Sequence, residues 1–372
     1  MKILFLTNIP SPYRVEFFSL LGEKCDLTVI YELEYATNRD RKWKVNVKKT
    51  YKEIFLNAKR ILSDGGFSFK ILKYLNKEYD FIIVGTHGTP IAKLAMIYMR
   101  IKKIPYILNL DGALTYTLRT KNKINLFFRE MMFQGAKYYL TTNDESIKYL
   151  KSFGIKEDKI FKYRFSSILK KNIIDKIINL DEKNILKMSL GIKEEKIILS
   201  VGQFIYRKGF DVLLKSKDYI DSNIGLYIVG GKVTEEYNRL IKDYNLKNVY
   251  FLGFKSKKEL EKYYKVSDVF VLPTRHDEWG LVINEALAKG LPVITTNHCG
   301  AGLELIKNIT NGFLIAVDDI KLLSKCITNI LNNKKLRYNM QINNILVAQK
   351  YTIENMVDDH IKILEIIRNG KK

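Results

Sequence analysis

Two parallel α/β units in tandem are the fold this sequence predicts. Three observations predict it: short apolar runs alternate with longer stretches of helical period, the rhythm starts afresh after a charged stretch, and 372 residues suit two domains of ordinary size. The first-half strands are KILFLT (2–7), DLTVIY (26–31), DFIIVG (80–85), PYILNL (105–110) and KYYLTT (137–142). KIILSVG (196–202), GLYIVG (225–230), NVYFLG (248–253), DVFVLP (268–273), PVITT (292–296) and FLIAV (313–317) repeat the rhythm in the second half. Between them KKNIIDKIINLDEKNILKMSLGIKEE is charged and carries Gly191 just before a fresh strand. The expected division is a first unit over 1–175, a second over 185–345, and a last helical segment over 346–372 that packs back on the first.

Composition sets the class. With 47% hydrophobic and 28% charged residues the chain reads as folded and soluble. The opening MKILFLTNIPSPYR is too short an apolar run for a signal peptide, and no stretch approaches the roughly 20 apolar residues of a membrane span. A cytoplasmic location is therefore expected. Cys25, Cys299 and Cys326 fit neither a disulfide framework nor a zinc spacing and read as packing residues. The formal charge of +23 favours an anionic partner such as phosphate, nucleic acid or an acidic membrane surface. Its lysines are spread along the chain, as solvated helix faces also require.

Ligands of parallel sheets bind beyond the carboxyl ends of the strands, where helix starts offer unpaired N–H groups. One such end is GQFIYRKG, Gly202 to Gly209, which carries Arg207 and Lys208 immediately before FDVLLKS. Two cations and a dipole end suit a diphosphate there, and a plain surface turn fits the spacing equally. The other end is DEWGLVINEALAKGLPVI (277–294), with a helix expected from about Gly280 to Lys289 that Gly290 and Pro292 stop. Leu281, Val282, Ile283, Ala286, Leu287 and Ala288 leave that helix almost no polar face. Glu285 falls between Leu281 and Val282 on the wheel, so its carboxylate either emerges into a polar cleft or bears a large burial cost. Asp277, eight positions earlier, either caps this helix or faces a ligand.

Asp277, Trp279, Gly280, Glu285 and Ala286, with GLPVITT behind and NGFLI (311–315) further on, resemble the acid-x7-Glu motif of retaining nucleotide-sugar glycosyltransferases of family 4, which have the GT-B fold. VGQFIYRKGFDVLL is similar to that family's phosphate-binding loop. The likeness spans nearly the whole second half and extends weakly to NIPSPYRVEFF (8–18) and LTTNDESIKYLKSFGI (140–155). It implies two Rossmann-like parallel-sheet domains facing a central cleft, the first for an acceptor and the second for a sugar nucleotide. It further implies that Glu285 accepts hydrogen bonds from the ribose hydroxyls and that Asp277 meets the hexose. Backbone N–H groups near Trp279, Gly280 and Leu281 would then face sugar and phosphate, with Gly202 and Gln203 in the phosphate loop, and Lys208 would neutralise the departing diphosphate. The same likeness implies attack on the leaving-group face without an enzymic nucleophile, and no metal or other cofactor.

Four departures from the pattern shape the expectations. Asp277 stands where Glu is common, and Gln203 where an Arg usually holds diphosphate, leaving Lys208 and Arg207 with that charge. SPYR replaces the first-domain Gly-Gly loop, so Arg14 is a candidate for the phosphates. Asp111, in NLDGAL, occupies the position of a frequent His, with acceptor positioning or turn formation as its roles. His87, His276, His298 and His360 show no ligand pairing, and Glu304 either supports the sugar site or is structural.

The resulting expectation is a hexosyltransferase that moves a sugar from a nucleoside diphosphate to a glycan or polyprenyl-linked glycan. Its charge suggests peripheral binding to the anionic inner face of a membrane. The rivals are a GT-B-like nucleotide-sugar epimerase and a basic nucleic-acid-binding protein. The latter lacks any zinc finger, RNP-like or helix-turn-helix signature, so no nucleic-acid partner is expected.

Overall fold

Apolar runs unbroken by polar residues suit strands covered on both faces, and here they become the middle of two parallel sheets. The computed structural model describes residues 1–38, 47–118, 129–130 and 132–370. They divide into unit 1, Met1–Ser166 with Ile353–Lys372, and unit 2, Ser167–Thr352. In unit 1 the strands are β1 Lys2–Thr7, β2 Asp26–Tyr31, β3 Lys52–Phe55, β4 Lys59–Arg60, β5 Gly66–Phe67, β6 Phe81–Val84, β7 Ile107–Leu110, β8 Tyr138–Thr141 and β9 Ile160–Lys162. Seven of them form one sheet in the order β3-β2-β1-β6-β7-β8-β9, while β4 and β5 form a separate antiparallel hairpin. Unit 2 contains β10 Ile197–Val201, β11 Gly225–Val229, β12 Val249–Leu252, β13 Val269–Leu272, β14 Val293–Thr296 and β15 Gly312–Ile315, ordered β12-β11-β10-β13-β14-β15.

Both orders reverse once. The chain moves outward from β1 through β2 to β3 before returning to β6, and from β10 through β11 to β12 before returning to β13. Each reversal opens a crevice at the carboxyl ends of the two strands that flank it. The loops after β1, β6, β10 and β13 are therefore where each unit can hold a ligand. Beneath them Leu4, Leu6, Val84 and Leu108 are buried in unit 1, and Ile198, Leu226, Val271 and Ile294 in unit 2.

Two expected boundaries move. Unit 2 begins at Ser167 rather than near 185, because Ile174 N–H donates to Ala288 O (3.0 Å) and Lys289 Nζ to Asn172 O (2.6 Å), which binds the stretch before the helix Leu180–Ser189 to unit 2. At the other end the helix Lys334–Lys350 runs through residue 346 and stays with unit 2, where Asn344 Nδ2 donates to Leu291 O (2.6 Å) and Asn311 O (2.9 Å). Only the helix Ile353–Arg368 joins unit 1. There the His360 ring lies 4.8 Å from Phe17 and 4.5 Å from Tyr163, and Arg164 grips both oxygens of Asp359 at 2.5 and 2.8 Å. Burial pulls the His360 pKa down to about 4, so the ring packs neutral.

The hairpin is fastened by a carboxylate. Glu32, just past β2, is fully buried and accepts from Thr89 Oγ1 (2.5 Å) and from Gly66 N–H in β5 (3.2 Å). Asn8 Nδ2, just past β1, donates to Asp64 Oδ2 in the hairpin turn (2.8 Å). Burial raises the Glu32 pKa to about 7, against the two hydrogen bonds, which favour the anion. A folded value above the ordinary carboxyl range means the folded state keeps a proton that the unfolded chain releases. That stability is complete below about pH 4.5 and is lost as pH rises through about 7. Between pH 5 and 8 the wild type is thus expected to lose on the order of 2–3 kcal/mol relative to Glu32→Gln in urea titrations. Parallel stability curves for the two proteins would contradict the burial argument.

Candidate functional site

In unit 2 the crevice is built from two glycine-gated helix starts. After β10 a short turn, Tyr206–Lys208, leads through Gly209 into the helix Phe210–Lys217. Gly209 has φ +68°, and a Cβ there would lie 2.0 Å from Pro273 O. Only glycine allows the first helix start to close on the strand end of β13. Gly280 has φ +96°, and a Cβ there would lie 2.8 Å from Cys299 Sγ; it opens the helix Leu281–Ala288. Neither helix has a side-chain cap, so both present backbone N–H groups and a positive dipole end.

Three strand-end loops lock together around these starts. Arg207 O accepts from Thr274 Oγ1 (2.8 Å) and Arg275 N–H (2.7 Å), and Arg207 Nη1 donates to His276 O (3.0 Å). Beyond β14, Asp277 N–H donates to His298 O (3.0 Å), Gly300 N–H to Asp277 O (3.1 Å) and Ala301 N–H to Trp279 O (2.7 Å). Arg275 forks onto Asp211 at 2.7 and 2.8 Å, reaches Asp318 at 2.8 Å and lies over the Tyr206 ring, which pins the turn.

Inside this frame Lys208 Nζ pairs directly with Asp277 Oδ2, with little of either side chain exposed. Arg207 stands 3.9 Å from the other oxygen, partly exposed. Asp277 therefore does not cap the helix, as one reading of the sequence allowed: its carboxylate turns to the lysine 69 positions earlier. The surface-turn reading of GQFIYRKG fails for Lys208, which is buried. Gly202 N–H continues the sheet to Val229 O (2.9 Å), and Gln203 O accepts from Ile205 N–H (2.9 Å).

Glu285 lies one and a half turns into the second helix. Ile283, Ala286 and Leu287 are fully buried, whereas Leu281, Val282 and Glu285 form a half-buried flank, so of the two outcomes the wheel allowed the carboxylate takes the first and emerges. Tyr264, on the helix Lys257–Val266, donates from its hydroxyl to Glu285 Oε2 (3.0 Å). Burial beside that carboxylate pushes the Tyr264 pKa well up, so the hydroxyl remains a donor. No local pattern marks this tyrosine, which reads in the sequence as one more core aromatic. The Trp279 indole is buried and donates to Asn284 Oδ1 (2.8 Å), which makes it a brace for the helix start. Glu304 accepts from Tyr351 (2.9 Å) and His298 Nδ1 lies 3.1 Å from Arg275 O; both serve the scaffold.

Unit 1 gathers a second constellation at its own crevice. Arg14, buried in the helix Pro12–Gly22 after β1, pairs with Asp111 Oδ2 after β7 (2.5 Å). Asp111 Oδ1 also accepts from Asn109 (3.1 Å) and Tyr163 (3.2 Å). Burial opposes the Arg14 charge and the neighbouring Asp111 more than restores it, raising its pKa. The guanidinium is thus already engaged, and so is the carboxylate. His87, after β6, packs edge-on against Phe133 at 5.4 Å. Among the described residues no three His, Cys, Asp or Glu side chains gather as a metal-holding group.

Residues 182–346 match the family described as glycosyl transferases group 1. Over its whole length the chain is similar to the N,N'-diacetylbacillosaminyl-diphospho-undecaprenol alpha-1,3-N-acetylgalactosaminyltransferase of Campylobacter jejuni, at 24% identity over 99% of this chain and 100% of that one. It is also similar to an Escherichia coli UDP-Gal:alpha-D-GlcNAc-diphosphoundecaprenol alpha-1,3-galactosyltransferase, at 26% identity over 74% of this chain and 73% of the other. The Anabaena HepE protein, solved in complex with UDP, superposes with a TM-score of 0.76 at 17% identity over 99% of this chain and 100% of that chain. This likeness places both sheets in the GT-B fold.

The two glycine gates make a stability test. Gly209→Ala is expected to cost about 3 kcal/mol in chemical unfolding, from the left-handed φ and the Pro273 contact together. Gly231→Ala, with nothing within 4 Å, should change stability by less than about 0.5 kcal/mol. Equal effects would mean that the turn at 209 relaxes freely.

Proposed function

We propose that this chain, whose residues 182–346 match the glycosyl transferases group 1 family, is a glycosyltransferase that moves a hexose from a nucleoside diphosphate to a lipid-diphosphate-linked glycan with retention of configuration. The observation that carries the reading is the buried Lys208–Asp277 pair set between two uncapped helix starts, with Glu285 eight residues beyond. Glu285 takes the ribose hydroxyls, held in place by Tyr264. The diphosphate lies against the backbone N–H groups around Gly280 and Leu281, with Arg207 at the solvent side. Asp277 accepts from hexose hydroxyls, and Lys208 turns from Asp277 to the phosphate.

As the bond between the anomeric carbon and the phosphate oxygen breaks, its electron pair stays with the diphosphate. Lys208 and the helix ends stabilise that growing charge. The acceptor hydroxyl attacks the same face, forms the new carbon–oxygen bond and passes its proton to the leaving phosphate oxygen. Asp111, oriented by Arg14, Asn109 and Tyr163, positions the acceptor; hydrogen bonds from three partners make it a fixed acceptor. This reassigns Arg14 from a phosphate ligand to the partner that orients Asp111. The undecaprenol-linked sugars in the names of both relatives support a lipid-linked acceptor, and with the +23 charge they support action at an anionic membrane face. The epimerase alternative gains no support from a transferase family match.

The test is release of nucleoside diphosphate from a panel of UDP-, GDP- and ADP-sugars, with and without lipid-linked acceptor. One donor should be turned over, faster with acceptor, and Glu285→Ala should abolish it. Tyr264→Phe should raise the donor KM about fivefold with kcat nearly unchanged, the loss of one hydrogen bond to a charged group. Interconversion of the sugar without transfer would restore the epimerase, and no sugar-nucleotide binding would remove the reading.

A further inference from the structure

Among the described residues the hairpin of β4 and β5 leaves large apolar side chains exposed in and beside its turn. Ile61 is 56% exposed and Leu62 43%, and Phe69, just past β5, is 65% exposed with its ring edge-on to Phe67 at 4.9 Å. Isolated exposed apolar residues are ordinary; three large ones within nine positions, two in the turn and one just past the second strand, are more than scatter. The turn is held firmly. Ile61 and Leu62 N–H both donate to Gly65 O (3.1 and 2.9 Å), and Arg60 fixes the loop through Ser63 O (2.6 Å) and Tyr35 O (2.8 Å). Glu32 fastens the hairpin through Gly66, and Asn8 ties down its turn through Asp64.

Charge says what the tip meets. Residues 59–73, KRILSDGGFSFKILK, hold four cations, Lys59, Arg60, Lys70 and Lys73, and one acid, Asp64, which is already taken by Asn8. Lys59, Lys70 and Lys73 are exposed. Aliphatic and aromatic side chains ringed by lysines fit the boundary between anionic headgroups and acyl chains. Among the described residues no helix is long and apolar enough to cross a membrane. The fasteners also place the hairpin beside the carboxyl ends of β1, β2 and β6, the edge of the sheet on which Arg14 and Asp111 stand.

We infer that the 59–69 hairpin is a membrane prong, in which Ile61, Leu62 and Phe69 insert into an anionic leaflet while Lys59, Lys70 and Lys73 bind its headgroups. It deepens the reading of a lipid-linked acceptor and rests on that reading only for why the enzyme should sit at a bilayer. The prong anchors unit 1 by the edge that meets the acceptor.

The experiment is sedimentation of the full-length protein with vesicles of phosphatidylcholine alone or with 30% phosphatidylglycerol, an arbitrary but common proportion of about one anionic lipid in three. Wild type should bind the anionic vesicles and release as salt rises. Ile61→Ser with Leu62→Ser and Phe69→Ser should weaken binding by about tenfold or more, and Lys59→Glu with Lys70→Glu and Lys73→Glu by at least as much. Both variants should keep the wild-type melting temperature and nucleoside-diphosphate release with a water-soluble acceptor. Failure of wild type to bind, undiminished binding by the variants, or a solution dimer that the serine variant dissociates would overturn the prong; the last would assign the tip to a second copy of the chain. Vesicle binding without turnover of any sugar nucleotide would instead leave the prong standing and remove the proposed reaction.

Discussion

A Cβ on residue 209 would sit 2.0 Å from the carbonyl oxygen of Pro273, and the unit 2 site follows from that single approach. Because glycine lets the two strand ends touch, Lys208 is carried under the loop that holds Asp277, where the two side chains pair with little exposure to water. The same contact sets Arg207 O to receive Thr274 and Arg275, and through them the β13 loop is tied to the β14 loop. Any residue with a side chain at 209 would separate the cation from the acid and both from the helix starts. The site is thus a consequence of backbone packing before it is an arrangement of charges.

The electrostatics then favour exchange over permanence. A buried cation without a counterion is costly, and removing one partner of a buried pair commonly costs 3–5 kcal/mol, so Lys208 and Asp277 hold each other until something better arrives. A sugar diphosphate offers an anion to the lysine and hydroxyl donors to the aspartate at once. In the proposed reaction both buried charges would stay satisfied through the change, and the lysine would gain a partner whose charge grows as the glycosidic bond breaks. Unit 1 differs: Arg14 and Asp111 are engaged with each other and with Asn109 and Tyr163, which suits a fixed acceptor of hydrogen bonds.

Much of this was legible in the residues. Central strands showed as unbroken apolar runs because both faces are covered, and the helix Leu281–Ala288 showed because Gly290 and Pro292 stop it and no polar face remains. Edge elements did not show: β3 is four half-exposed residues in a lysine-rich stretch, β9 has three residues, and β4 and β5 have two each. The candidates Lys208, Asp277 and Glu285 were found by their places after strands, yet their bonding was not. The Lys208–Asp277 pair spans 69 positions, and Tyr264 reaches Glu285 from another helix; such contacts belong to the packing of elements rather than to any local pattern. Glu32 in YELEY reads as a surface acid, and only the fold buries it.

The exchange of partners by Lys208 is the centre of this account, and calorimetric titration of nucleoside diphosphate into wild type and Asp277→Asn tests it most directly. With the competing carboxylate gone, the variant should bind the nucleoside diphosphate about five- to tenfold more tightly, roughly 1 kcal/mol or slightly more, while transfer of the hexose falls. Unchanged or weaker binding by the variant would show that the pair is a fixed brace, and that the charge on the leaving phosphates is met elsewhere.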